Sequence, residues 1–126
     1  MQDLIIDFEV LARVAKERRS VKAGDVIFRA GDRGSEFYVV RDGSIAIQVG
    51  EQVVEHVGPS GVFGEMAMVD AKPRSATAIA ATDSVIVPLS EKQFVALVRE
   101  APYFALAVMR VLAQRLRAAD AEIAAR

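Results

Sequence analysis

The sequence predicts a mainly β domain, a sandwich or barrel, with one helix before it and two after it. Three observations carry that prediction. Short runs rich in Val, Ile, Phe and Tyr are punctuated by eight glycines, and several short strands between turn signals describe such a fold. Near both ends the apolar residues recur instead at three- and four-residue spacing, the period of a helix. Asp42-Gly43 stands between two of the β-rich runs, and Gly accepts the positive φ that a tight hairpin turn requires.

At the start, Leu4, Ile5, Phe8, Leu11, Ala12 and Ala15 lie on one face of a helix expected at Asp3 to Lys16. After Arg18 the pattern changes to strands. They are expected at Val26–Phe28, Phe37–Arg41, Ser44–Val49, Gln52–Val57, Thr77–Ala80 and Ser84–Pro88. Gly50-Glu51 makes a second hairpin turn. Helical spacing returns at Ser90. Ser90-Glu91-Lys92-Gln93 has the form of a capping box, in which hydroxyl and amide satisfy the unpaired N–H groups of a helix start. Pro102 suits the first turn of a further helix. Phe104, Val108, Val111, Leu112, Leu116, Ala119 and Ile123 form one stripe along that helix.

With 126 residues the chain fits one domain, 1–126, with a core of its own. A net charge of -1 argues against a general nucleic-acid-binding surface. The absence of Cys excludes disulfides and thiolate chemistry. No apolar run is long enough to span a membrane, and the start lacks the form of a secretory signal, so a cytoplasmic location is expected. His56 alternates with apolar residues on a strand and reads as solvent-facing or structural. One His without Cys gives no basis for a metal site. Met66 and Met68 read as packing residues. Gly58, Gly61 and Gly64 read as turns, because no βαβ unit or Gly-Lys-Ser/Thr accompanies them. Arg99, Arg110, Arg115 and Arg117 are interleaved with Glu100, Asp120 and Glu122, as on a solvated helix face.

The chemistry concentrates in Phe63-Gly64-Glu65-Met66-Ala67-Met68-Val69-Asp70-Ala71-Lys72-Pro73-Arg74-Ser75-Ala76-Thr77. The Glu65 carboxylate only accepts hydrogen bonds and suits a hydroxyl or amine. The Arg74 guanidinium is a planar fork of donors that suits a phosphate. Gly64 lets the backbone approach closely, and the N–H groups after it open a short helical turn that favours an anion. Ser75 adds a hydroxyl. Together these groups complement a phosphate with a neighbouring ribose hydroxyl. The spacing alone also fits an ordinary Glu65–Arg74 surface pair.

This stretch resembles the phosphate-binding cassette of the cyclic nucleotide-binding domains of the catabolite activator protein family, where F-G-E, a small apolar turn and P-R-[ST/A]-A-T recur in order. Ala23-Gly24-Asp25-Val26-Ile27-Phe28, Gly31-Asp32, Phe37-Tyr38-Val39-Val40 and Gly43 are similar to that family's glycine-marked β-roll. The resemblance covers roughly Val21 to Arg117. Its flavour is that of the ligand domains of bacterial cyclic-nucleotide-gated potassium channels.

The resemblance implies a double-stranded β-helix, a jelly-roll-like β-roll at about 18–89, with helices at about 3–16 and 90–124. It implies that Glu65 holds the ribose 2′-hydroxyl and Arg74 the cyclic phosphate. Gly64, Met66, Ala67 and Ala76 would line the ligand through their backbone, with Ser75 touching phosphate or base. Ser75 tilts the expectation toward cAMP over cGMP. The last helix would close over the base as a lid, with Arg115, Ala119 and Asp120 among the candidate contacts. A partner protein or a second copy would read its stripe of Val108, Leu112, Leu116 and Ile123. The family's transcription factors continue into a helix-turn-helix, which has no room before Arg126, so a sensor without an attached effector is expected. The alternative is a structural or protein-interaction β-roll that binds no nucleotide. An enzyme is remote, because the stretch offers no nucleophile–base pair.

Overall fold

The computed structural model describes residues 7–124, with side chains described to Ala121. Helix α1 spans Phe8–Val14. The Asp7 carboxylate accepts from the amides of Glu9 and Val10 at 2.9 and 3.4 Å and caps its start. The expected helix ran from Asp3 to Lys16. Its far end is shorter, because Ala15 turns to an extended conformation and the chain heads for the first strand. Leu4 and Ile5, counted on its apolar face, lie outside the described residues.

Eight strands follow: β1 Arg19–Val21, β2 Val26–Phe28, β3 Phe37–Asp42, β4 Ile45–Val49, β5 Gln52–Val57, β6 Val62–Phe63, β7 Thr77–Ala80 and β8 Ser84–Leu89. They form two four-stranded antiparallel sheets, ordered β1-β8-β3-β6 and β2-β7-β4-β5. This is the mainly β, jelly-roll-like fold that the sequence predicts. Six strands fall within a residue or so of their expected places. β1 and β6 were not expected as strands, since two or three residues carry too little alternation to read. Helix α2, Glu65–Asp70, interrupts the strands between β6 and β7.

The glycine turns follow from backbone geometry. Gly43 has φ +92°, and a Cβ there would lie 2.6 Å from the Asp83 carbonyl oxygen, so only glycine closes the β3–β4 hairpin without strain.

Strand β3 is buried on both faces, which explains its unbroken apolar run. Phe37 and Val39 point to one core with Val62, Val87, Leu89, Leu97, Phe104 and Val108, between a sheet and the helices. Tyr38 and Val40 point to the other, between the sheets, with Ile45, Val57, Phe63 and Ile86. Each fully buried side chain of this kind contributes about 1.5–3 kcal/mol.

Helix α3, Glu91–Glu100, starts in the expected capping box. The Gln93 amide donates to the Ser90 hydroxyl at 3.2 Å, and the Ser90 amide donates to the Gln93 side-chain oxygen at 2.9 Å. Pro102 immediately precedes α4, Tyr103–Ala124. The expected stripe of α4 divides in two. Phe104 and Val108 are buried, and Val111 and Leu112 pack against the same core. Leu116 is 64% exposed, because the helix has by then passed the edge of that core. Ile123 lies outside the described side chains.

Candidate ligand-binding site

Gly64 ends β6 and caps α2 with φ +79°. A Cβ there would lie 3.0 Å from Arg74 Nη1 and 3.3 Å from the Phe28 ring, so a glycine lets the cassette close on itself. The next residue, Glu65, opens α2 and is 1% exposed. Arg74 is 6% exposed on the segment that leads into β7. Its backbone is pinned by the loop after β2: the Gly31 amide donates to the Arg74 carbonyl at 2.8 Å, and the Arg74 amide donates to the Asp32 carbonyl at 2.9 Å. The glycine-marked segment near Gly31 therefore positions the arginine.

The Arg74 guanidinium stacks 4.2 Å above the Phe28 ring, and Nη1 donates to the Gly64 carbonyl at 3.0 Å. Its Nε is buried without a partner. Glu65 does not pair with Arg74. Its Oε2 accepts from Nη1 of Arg115, on α4, at 2.6 Å, and its Oε1 is buried without a partner. A buried polar atom left without a partner is costly, and each of these two side chains holds one.

Arg115 makes further bonds. Its Nε and Nη2 donate to the two oxygens of Glu55 at 2.9 and 3.0 Å, and Nη2 also donates to the Val62 carbonyl at 2.8 Å. Burial disfavours the Arg115 charge. The hydrogen bonds and charges of Glu55 and Glu65 outweigh that cost and raise its pKa above the ordinary arginine value.

These residues surround one cavity of about 330 Å³. Gly64, Glu65, Met66, Ala67, Arg74, Ser75 and Ala76 all line it, as do Arg115 and Ala119. Asp120 is exposed and is not part of its wall. The Ser75 hydroxyl is solvent-facing and lies 3.9 Å from the Met66 sulfur. Met68 packs in the core, and His56 is exposed on β5. Among the described residues, no group of three or more His, Cys, Asp or Glu is placed to hold a metal ion.

Phe28, Ile47, Val49, Val54 and Glu55 also line the cavity and are not site residues in the sequence analysis. Glu55 left one signal: it shares the parity of the buried Val57, an acid on the inward face of a strand. Val54 left none. The β4–β5 register shifts after Ile47, where Ile47 pairs with Glu55 and Gln48 with Val53. That bulge lets the consecutive residues Val54 and Glu55 both reach the cavity.

A carboxylate, a guanidinium and a glycine-opened turn thus converge on one cavity under a helix. The chain matches the model of the cyclic nucleotide-binding domain over residues 18–101. It belongs to the cyclic nucleotide-binding domain family.

Similar proteins within this family have varied outputs. The chain is 36% identical to the cyclic AMP receptor protein of Thermus thermophilus over 85% of its length and 52% of that protein's. It is 36% identical to a cAMP-dependent protein kinase regulatory subunit of Eremothecium gossypii, over 70% of this chain and 19% of that one. It is 35% identical to a cyclic nucleotide-gated potassium channel of Mesorhizobium japonicum, over 83% and 29%. The chain therefore spans about half, or less, of the length of each of these relatives. Among solved structures, the Thermus thermophilus catabolite activator protein superposes with a TM-score of 0.77 at 34% identity, over 91% of this chain and 57% of that one. A second, solved for a cyclic-GMP-dependent signalling pathway in bacterial phytopathogenesis, gives 0.75 at 29% identity, over 87% and 91%. Among the described residues, no helix is long and apolar enough to cross a membrane.

Proposed function

We propose that this chain is a regulatory sensor that binds a cyclic nucleotide, cAMP in preference to cGMP, in the cavity between the cassette and α4. One observation carries the reading: Glu65 Oε1 and Arg74 Nε are both buried without partners, in side chains that line the same cavity. A ribose hydroxyl donates to the Glu65 carboxylate, and a phosphate oxygen accepts from the Arg74 fork. Gly64, Met66, Ala67, Ser75 and Ala76 complete the cradle, with Arg115 and Ala119 above it. The preference for cAMP draws support from Ser75 and from relatives whose names carry cAMP.

The response is passed by α4. Arg115 is the polar tie between that helix and the cassette, so occupancy of the cavity bears directly on the helix's position. A ligand shifts the helix only by its differential affinity for the two positions. Met109 and Leu116 are exposed on α4 and are available to a partner protein or a second copy. The role is one of binding rather than catalysis, in keeping with the receptor and regulatory-subunit relatives.

Thermal unfolding with cAMP and with cGMP tests the reading. A ligand at a hundred times its dissociation constant stabilises by about 2.7 kcal/mol, which raises the melting temperature by several degrees. An unchanged melting temperature with both nucleotides would return the chain to a β-roll without a nucleotide ligand.

A further inference from the structure

The cavity has more wall than a phosphate and a ribose need. With Arg74 at the phosphate end and Glu65 at the ribose, the remaining surface consists of Ile47, Val49 and Val54 on β4 and β5, with Ala118 and Ala119 on α4. These are apolar faces suited to a flat ring. The polar groups beside them are Glu55 and Arg115.

Their hydrogen bonds decide which polarity the ring meets. A guanidinium has five N–H donors. Arg115 uses one on Nε, one on Nη1 and two on Nη2, on Glu55, Glu65 and the Val62 carbonyl. One N–H remains, on Nη1. The Glu55 carboxylate has about four lone-pair positions and gives one from each oxygen to Arg115. Its side chain is 40% exposed, so its other lone pairs are accessible. This corner of the cavity is therefore dominated by acceptors.

We propose that Glu55 reads an amino group on the base, and that it selects amino-bearing bases over those lacking the amine. The inference rests on the cyclic-nucleotide reading of this cavity. Adenine offers its 6-amino group and guanine its 2-amino group. The shared chemistry is an exocyclic N–H donor meeting a carboxylate held in place by Arg115. Arg115 acts here as a positioning residue, and Glu55 as the specificity-determining one.

Titration calorimetry of the full chain with two ligand pairs tests this. The first pair is cAMP and its 6-deamino analogue, purine riboside 3′,5′-cyclic monophosphate. The second is cGMP and cyclic IMP, which lacks the 2-amino group. The amino-bearing member of at least one pair binds the wild type about tenfold more tightly, as expected for a hydrogen bond to a partly exposed charged acceptor. The pair that shows the ratio identifies which amine is read. In Glu55→Ala that ratio falls to within about twofold. Glu55→Gln, which retains one acceptor oxygen, gives an intermediate ratio. Arg115→Ala, which frees the Glu55 carboxylate, weakens both members of a pair and also lowers the ratio toward that of Glu55→Ala. A ratio fully preserved in Arg115→Ala removes Arg115 from the positioning role. Because each ratio is taken within one variant, a loss of stability cancels. A wild type that binds these nucleotides with no ratio in either pair, or a Glu55→Ala variant that keeps it, overturns the proposal. A wild type that binds none of the four overturns the cyclic-nucleotide reading as well.

Discussion

Arg115 and Glu65, fifty residues apart in the sequence, meet at 2.6 Å and tie the last helix to the floor of the cavity. Glu65 is almost wholly buried, with one oxygen on Arg115 and the other unpaired. Arg115 pairs with Glu55 of the cavity wall as well, so one side chain of α4 carries both ion pairs to the cavity. Four consequences of this arrangement and its surroundings can be measured.

Arg115→Ala leaves the Glu65 carboxylate buried with neither oxygen paired. Breaking a fully buried pair costs roughly 3–5 kcal/mol. The Arg115 and Glu65 side chains are 22% and 2% exposed, so screening at the Arg115 end brings the cost to the bottom of that range, about 3 kcal/mol. Urea denaturation measures it. Adding Glu65→Gln recovers part of the loss, since the uncompensated charge is then gone. A double variant less stable than Arg115→Ala would contradict this account.

Arg74→Ala removes the fork of donors from the cavity. The expected result is at least a tenfold loss of cyclic-nucleotide affinity in calorimetry, with a cooperative unfolding transition retained. Unchanged affinity would sink the assignment of Arg74 to the phosphate.

Gly64→Ala places a Cβ against Arg74 Nη1 and Phe28 at a backbone angle that L-residues rarely adopt. The left-handed conformation alone costs about 1–2 kcal/mol. Displacement of Arg74 adds a loss of ligand affinity. Gly50→Ala is the comparison, because its φ is also positive but no atom lies within 4 Å of the added Cβ. It should lower stability to a similar degree and leave affinity unchanged. Equal affinity losses in both variants would argue against the close approach at Gly64.

Tyr38 gives a pH dependence. Burial, then the Glu36 charge, raises its phenol pKa above the ordinary value of 10.0, while Arg74 and Arg19 pull it down less strongly. Between pH 10 and the folded-state value, the folded chain holds a proton that the unfolded chain has lost. Stability from this group is complete below pH 10 and falls as pH rises through that window. Denaturation midpoints from pH 9 to 11 should fall in the wild type and fall less in Tyr38→Phe. Parallel slopes in the two proteins would exclude Tyr38 as the cause.

Most of the fold was legible because its signals are local. The Ser90–Gln93 capping box, the Asp42-Gly43 hairpin and six of the strands each depend on a few neighbouring residues. What escaped was short or long-range. β6 has two residues, too few for any period. The end of α1 is set by the path toward β1 rather than by its apolar spacing. The α4 stripe runs unbroken in sequence, but the core beneath it stops before Leu116.

The site divides along the same line. The sequence by itself placed Gly64, Glu65, Arg74 and Ser75 within a dozen residues of one another, with groups that suit an anion and a hydroxyl. The spacing fitted a Glu65–Arg74 surface pair equally, and the family resemblance is what marked a cassette. Only the tertiary structure decided what Glu65 pairs with. Arg115 and Glu55 arrive from a distant helix and a bulged strand, and their meeting depends on how α4 crosses the sheet containing β5. Spacing along a chain carries no record of such a crossing, whereas the burial of one carboxylate between two elements does.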